Sequence, residues 1–269
     1  MKKRLWKTRA WKALGIVLMS ITFLFLYTPI IVILTLSVNS SKRAYSFEQF
    51  TLQWYVDVFR DPSITGPIVN TISIAILSTI ISTIVGTLFA IGIHSLQKKS
   101  RIRMMILNNV PVVNPDIVTG ISLMIIFSLL SFTLGFTTVL FAHIFFSIPY
   151  VILNVMPRLK RLDPNMYEAA LDLGCSRYEA MLKVILPNIS TGIIAGGLMA
   201  FTMSIDDFVI TYFTSGNEYM NVSTWLYAVL GRGQSFTPAA YAYNAMIFAI
   251  TIAIILFINL KKEKKGKLA

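Results

Sequence analysis

One cysteine, two histidines and 12 acidic residues among 269 leave little material for disulfide, metal or acid–base chemistry. Cys175 has no partner for an internal disulfide and carries no redox or metal argument. His94 lies beside a basic segment and His143 inside an apolar run, neither within a Cys, Asp or Glu pattern of ligand spacing. Each reads as an interface or interhelical hydrogen-bonding histidine. The chain has no Gly-x-x-x-x-Gly-Lys-Ser/Thr phosphate loop, so it is not expected to hydrolyse ATP alone. It also lacks a Gly-x-Ser-x-Gly nucleophile signature, which speaks against a serine hydrolase. These absences leave binding, transport or a structural role.

What the chain has is apolar length. Hydrophobic residues make up 55%, charged residues 13%, and the mean hydropathy is +0.69. The apolar residues come in blocks at about 13–36, 68–93, 104–133, 136–156, 188–213 and 238–260. Each matches or exceeds the ~20 residues needed to cross the hydrocarbon core as a helix. An all-α membrane protein with six transmembrane helices, a single domain over 1–269, is therefore expected. An even number of spans places both termini on one side.

The net charge of +12 is distributed asymmetrically. Six Lys and Arg fall in 1–12, four in 94–103, five in 157–187 and five in 261–269, leaving Lys42, Arg43, Arg60 and Arg232 on the other side. Positive charge marks the cytoplasmic side, so both termini and the loops 94–103 and 157–187 are expected there, with Cys175 in a reducing compartment. The basic tails are explained by topology and by contact with anionic membrane lipids; no nucleic-acid partner is expected. The first apolar run has 24 uncharged residues, and no small-x-small cleavage site follows before Asn39, so it reads as a retained helix and not a signal peptide.

The expected outward loop 37–67 carries Phe47, Phe50, Trp54, Tyr55 and Phe59 at near-helical spacing. A short interfacial helix is expected there, with an aromatic-belt anchor as one role for Trp54 and ligand contact as another. The outward loop 214–237 holds Trp225, Tyr227 and Arg232. In the third apolar block, Pro111 and the run Asn114-Pro115-Asp116 predict a kink or break near the middle. Gly192, Gly196 and Gly197 form a small-residue face suited to close helix packing, within the chain or against a second membrane subunit.

Asp116, Asp206 and Asp207 fall inside apolar blocks that contain no Lys or Arg. Intramembrane carboxylates are costly and usually face a bundle interior or a wet path. Asp116 also suits the first turn of a helix resuming after Pro115, where the helix dipole favours a carboxylate. Asp206 and Asp207 lie ~26 Å from the inner end of the fifth block and point ~100° apart on a continuous helix. One of them is then expected to face a pathway and the other to cap or pack.

Between the fourth and fifth blocks, the chain reads Glu168-Ala169-Ala170, three residues, Gly174, nine residues, then Val184-x-Leu186-Pro187. This spacing resembles the EAA loop of binding-protein-dependent ABC importers, by which a membrane subunit grips its ATPase. Val184 stands where that family usually has Ile, which keeps a β-branched apolar side chain. The resemblance implies a type I ABC importer permease (MetI-like) fold in a bacterial cytoplasmic membrane, with a coupling loop at 157–187. Glu168, Ala169, Ala170, Gly174, Leu186 and Pro187 become the coupling residues, with 168–171 on a short helix that ends near Gly174 in a left-handed turn.

Asn-Pro-Asp-Ile-Val at 114–118, Phe-Thr-Met-Ser-Ile-Asp-Asp at 201–207, Gln53-Trp54-Tyr55 and Pro-Arg-Leu-Lys at 157–160 narrow the likeness. Together they resemble the spermidine/putrescine importer family, in particular its second, C-type permease. That resemblance implies a heterodimer with another permease, an ABC ATPase dimer and an extracytoplasmic polyamine-binding protein. It assigns polyamine passage to Trp54, Asp116 and Asp206, with Asp207 beside them. No cofactor is expected on this chain, since ATP and Mg belong to the ATPase. Carboxylates and aromatic faces are the groups that bind chains of ammonium and methylene. Two alternatives stand: the same architecture carrying another solute, and a stand-alone cation channel or secondary transporter.

Overall fold

A computed structural model describes residues 2–41, 46–163, 165–217, 219–231 and 238–266. Lys42, Arg43 and Arg232 therefore lie outside the described residues. The regular elements are helices: α1 Lys2–Ser37, α2 Gln53–Arg60, α3 Pro62–Ser95, α4 Lys98–Val113, α5 Asp116–Leu129, α6 Phe136–Leu159, α7 Asn165–Asp172 and α8 Arg177–Ala180. A π-helical turn, Met181–Ile185, leads into α9 Leu186–Ile205, followed by α10 Val209–Thr214, α11 Val222–Gly231 and α12 Pro238–Gly266.

Among the described residues, four stretches are long and apolar enough to cross a membrane: Trp11–Ser37, Pro62–Ser95, Phe136–Leu159 and Arg177–Ile205. The pair α4 and α5 meets the same test only when taken together, and it is bent by 99°. The expected sixth block falls on α12, where the side chains of 254–266 lie outside the described ones.

The chain forms two compact units, residues 1–65 with 228–269, and residues 66–227. In the first, α12 packs along α1 and α2. The segment after α1 folds back on itself through Ser40 N–H to Gln49 O and Thr51 N–H to Val38 O, both 2.8 Å. The expected short helix of the outward loop is α2, which buries Val58 completely. From Trp11 to Leu34 most apolar side chains of α1 are open, as suits lipid or a partner subunit.

In the second unit, α6 lies against α9, and α5 against α10. The glycine face is what lets α9 approach. A Cβ on Gly192 would stand 3.0 Å from Asn154 O, and one on Gly196 would stand 3.1 Å from Val151 Cα. Gly86 of α3 meets α6 in the same way, with Val151 Cβ 2.8 Å from its notional Cβ. The partner of this face is therefore the chain's own α6, with Gly197 against Thr83 of α3, and not a second subunit. Around these contacts Ala90, Val151, Ile152, Val155, Ile189 and Ala200 form a buried core. In lipid, close van der Waals contact of this kind is the main force between helices.

Two of the prolines, Pro115 and Pro187, disturb the helical ladder, whereas Pro29, Pro67, Pro149 and Pro157 lie inside continuous helices. Asn114 is extended (φ −71°, ψ 134°) because the ring of Pro115 disfavours the helical region for the residue before it. Pro115 is extended as well, and α5 starts at Asp116. Further along, Pro187 has no N–H for Lys183 O, and the turn before it widens so that Leu186 N–H reaches Met181 O. Next to it, Asn188 Nδ2 donates to Val184 O at 2.7 Å.

The fifth block differs from the expected single helix over 188–213. Helix α9 stops at Ile205, Asp206 has left the helix (φ −101°, ψ 0°), and α10 starts at Val209. Nothing in the local sequence is a proline or glycine there. The break is held by side chains that come from other elements.

Candidate functional site

Those side chains converge on Asp207. Its Oδ2 accepts Thr211 N–H at 2.7 Å and Thr211 Oγ1–H at 2.8 Å, and Oδ1 takes the Ile210 N–H at 3.3 Å. The carboxylate thus occupies the open backbone donors at the start of α10, where the helix dipole also favours negative charge. His143 Nε2 stands 3.5 Å from Oδ2, and only 9% of the Asp207 side chain is exposed.

The partners around His143 are all satisfied when Nε2 carries a proton. Thr211 gives its proton to Asp207, so its oxygen accepts from His143 Nε2–H at 2.9 Å and Asn221 Nδ2–H at 3.2 Å. His143 Nδ1 then accepts from Ser204 Oγ–H at 2.7 Å, and Ser204 Oγ accepts from Ser78 Oγ–H at 3.0 Å. With the proton on Nε2, the bonds run one way from Ser78 on α3 to Asp207. Ser78, His143, Ser204 and Thr211 are all buried. Asn221 adds a further tie: its Oδ1 accepts Thr224 N–H at 2.8 Å in the first turn of α11, and its Nδ2 reaches Asp207 O at 2.9 Å.

Asp206, one residue earlier, is exposed at the end of α9. The two neighbouring acids therefore have opposite environments. Beside them sits an aromatic cluster. Phe208 stacks 5.5 Å from Tyr212 and 5.0 Å from Tyr227, and Tyr212 and Tyr227 lie 5.6 Å apart. About half of each tyrosine surface is open (49% and 53%), so ring faces remain for a ligand.

Asp116 is exposed in the first turn of α5, after the 99° bend. Asn114 Nδ2 donates to Thr119 Oγ1 at 2.9 Å and bridges the bend. One turn beyond Asp116, Gly120 lets α10 approach: its notional Cβ lies 3.1 Å from Phe213 and 3.4 Å from Ile210 Cα. The breaks bearing Asp116 and Asp206 thus each lie close in sequence to the α5–α10 contact. Trp54 belongs to the other unit. It is half-buried on α2, and its Nε1–H donates to Asn39 O at 2.7 Å. That bond ties the helix to the segment after α1.

The segment 165–187 forms a second site. Glu168, Ala169 and Ala170 lie on α7, which ends in a Schellman turn: Cys175 N–H bonds to Ala170 O and Gly174 N–H to Leu171 O, with Gly174 at φ +88°. Glu168 and Ala169 face outward, whereas Ala170 is buried within the chain. Leu173, next to the turn, is 87% exposed, an unusual position for leucine outside an apolar span. Ser176 and Glu179 form a capping box that starts α8, and Glu179 pairs with Lys183 at 2.9 Å. Leu186 packs against the core of α6 and α9, while Pro187 is exposed at the head of α9.

Several of these residues were open to inspection in the sequence and carried weak signals. The Ser176-x-x-Glu179 box and the four-residue spacing of Phe208 and Tyr212 are local patterns. His143, Ser204 and Asn221 carry no such pattern, since their partners are distant in sequence.

Broken apolar helices with acids at the breaks, joined to a glycine-terminated polar helix, define the membrane-embedded subunit of a transporter. Residues 82–260 match the family described as binding-protein-dependent transport system inner membrane component, and the chain belongs to that family. It is 31% identical over 249 residues to the spermidine/putrescine transport system permease protein PotC of Escherichia coli (strain K12), covering 93% of this chain and 94% of that protein. The putrescine transport system permease protein PotI of the same organism is 33% identical over 211 residues, 75% of this chain and 74% of that one. Among solved structures, a bacterial ABC transporter involved in the import of alginate aligns with a TM-score of 0.69 at 19% identity, covering 97% of this chain and 99% of the other. An amino acid ABC transporter aligns with a TM-score of 0.58 at 18% identity, over 79% of this chain and 100% of that one. The fold is therefore that of ABC importer permeases, multi-pass and helical.

Proposed function

We propose that this chain is the C-type permease of a polyamine importer, passing spermidine or putrescine into a bacterial cytoplasm by alternating access. The observation that carries the reading is the exposed Asp206, two residues before Phe208 and its half-open partners Tyr212 and Tyr227, with Asp207 already committed to α10. An ammonium group about 4 Å from a carboxylate gains about 4 kcal/mol at the effective dielectric of a partly wet site. An aromatic face adds about 0.5–2 kcal/mol. Such contacts are strong enough to admit a cation and weak enough to release it. Asp116 serves as a second waypoint, and Trp54 acts at the outer entrance. The names of the similar permeases support the cargo.

Six spans with both termini in the cytoplasm fit the distribution of Lys and Arg. The chain pairs with a second permease, receives cargo from an extracytoplasmic binding protein, and is driven by an ATPase dimer that supplies ATP and Mg. Coupling runs through α7: Glu168, Ala169 and the exposed Leu173 form the outer contact surface. Ala170 and Leu186 seat that surface on the core, and Gly174 and Pro187 shape its flanking turns.

The test is uptake of labelled spermidine by cells carrying Asp206→Asn or Asp116→Asn, alongside pull-down of the ATPase. Neutralisation with little change in volume lowers uptake at least tenfold for Asp206→Asn and leaves assembly intact, about 1.4 kcal/mol of lost attraction. Normal polyamine uptake by both variants, or uptake of an unrelated solute lost in parallel, would sink the assignment.

A further inference from the structure

The second unit contains a cavity of about 660 Å³ that neither the transport path nor the coupling contacts account for. It opens between the ends of α3 and α6, the start of α4, and α7. His94, Arg101 and Lys160 supply its polar wall, and Leu159, Met181 and Ile185 its apolar one. The acid in the wall, Asp163, is already engaged: its Oδ1 accepts Asn165 N–H at 2.9 Å at the start of α7. Arg101 is only partly engaged. Its Nη2 caps the end of α3 through His94 O and Leu96 O, while its Nε is buried without a hydrogen-bond partner. A buried guanidinium donor left unpaired is costly unless something fills the place.

A second hollow, of about 430 Å³, lies along another face of α3, lined by Leu88, Gly92 and Leu96 with Met104 one turn of α4 beyond Arg101. It is entirely apolar and extends from the level of Val85 to that of Leu96, toward the middle of the span. The two hollows share no lining residue, so the basic cavity stands by itself: its cations and its own apolar wall of Leu159, Met181 and Ile185 match a molecule with an anionic head and a hydrocarbon tail.

We propose that this cavity is a binding site for one anionic phospholipid, its phosphate at Arg101 and Lys160 and an acyl chain against Leu159, Met181 and Ile185. Basic pockets at the cytoplasmic ends of membrane helices suit acidic headgroups, and an apolar wall excludes a free anion as the better occupant. Tyr167 lines the same cavity from α7, so the bound lipid braces the coupling helix against α3 and α4.

The experiment is native mass spectrometry of the full-length chain, purified from membranes, stripped of lipid and returned to mixed phosphatidylglycerol and phosphatidylcholine. The chain retains one phosphatidylglycerol in preference to phosphatidylcholine. Lys160→Gln and Arg101→Gln each reduce that retention about fivefold, the effect of one cation near an acidic headgroup. Arg101 also caps α3, so if Arg101→Gln does not fold, Lys160→Gln decides alone. Lys12→Gln, outside the cavity, leaves retention unchanged. Equal retention of the two lipids, or an equal loss with Lys12→Gln, overturns the site. Displacement of the lipid by millimolar inorganic phosphate would make it a phosphate site and overturn the lipid assignment.

Discussion

His143 and Asp207, 64 positions apart in the chain, meet with Nε2 and Oδ2 at 3.5 Å, and both bind the same hydroxyl of Thr211. That meeting point closes the gap between α9 and α10 and leaves the neighbouring carboxylate, Asp206, open. The two aspartates should therefore fail in different ways when neutralised.

Asp207→Asn keeps one oxygen for the two Thr211 donors, but its NH₂ group then faces Ile210 N–H, donor against donor, and the negative charge at the start of α10 is gone. The loss is expected to cost about 1–3 kcal/mol of stability. In detergent, the apparent melting temperature of this variant falls below that of wild type, while Asp206→Asn stays close to it. Equal melting temperatures for the two variants would contradict the division of roles.

His143→Ala removes both ring nitrogens from the buried network: Ser204 keeps only Ser78, Thr211 keeps Asp207 and Asn221, and each loses one bond in a site closed to solvent. About 1–3 kcal/mol is expected for each group that finds no water. A thermal shift measured across a panel of buried-residue variants should place His143→Ala among the most damaging.

Gly196→Val should prevent α9 from seating on α6, because its Cβ would meet the backbone of Val151 at 3.1 Å. Overpacking against backbone costs about 1–3 kcal/mol. Gly15→Ala, where nothing lies within 4 Å, should be neutral. Membrane yield and monodispersity on size exclusion separate the two outcomes.

Gly174→Val places a β-branched residue at φ +88°, at a cost of about 1–2 kcal/mol or more. ATP-driven uptake and ATPase copurification should both drop, with membrane insertion unchanged. Gly174→Asn should retain part of the function, since Asn tolerates the left-handed region. Equal loss in both variants would point to side-chain bulk and away from backbone conformation.

Trp54→Phe keeps an aromatic face but leaves Asn39 O without its indole donor. A loss of about 1 kcal/mol in the stability of the outer segment is expected. Limited proteolysis around residues 38–52 reads that change directly. If Phe is as protected as Trp and only Leu is cleaved faster, apolar anchoring accounts for Trp54.

Much of the architecture is legible in one dimension. Apolar length marks the membrane-crossing stretches, Asn114-Pro115 announces the bend before Asp116, and Gly174 announces the turn after α7. Each depends on a local backbone preference or on the hydropathy of a contiguous run. The break at Asp206 could not be read this way, because no local residue requires it. It exists because Ser204, His143, Thr211 and Asn221 meet there, from positions up to 78 residues apart. The same holds for the glycine face of α9, whose small residues are visible in the sequence but whose partner, Val151 on α6, is not. Ala169 and Ala170 look equivalent as letters, yet packing buries only the second. Chain chemistry by itself determined where helices form and bend, since backbone sterics and desolvation act residue by residue. Only the tertiary structure decided which acids, alanines and glycines remain available, because a polar group or a surface is consumed by whatever distant partner packs against it.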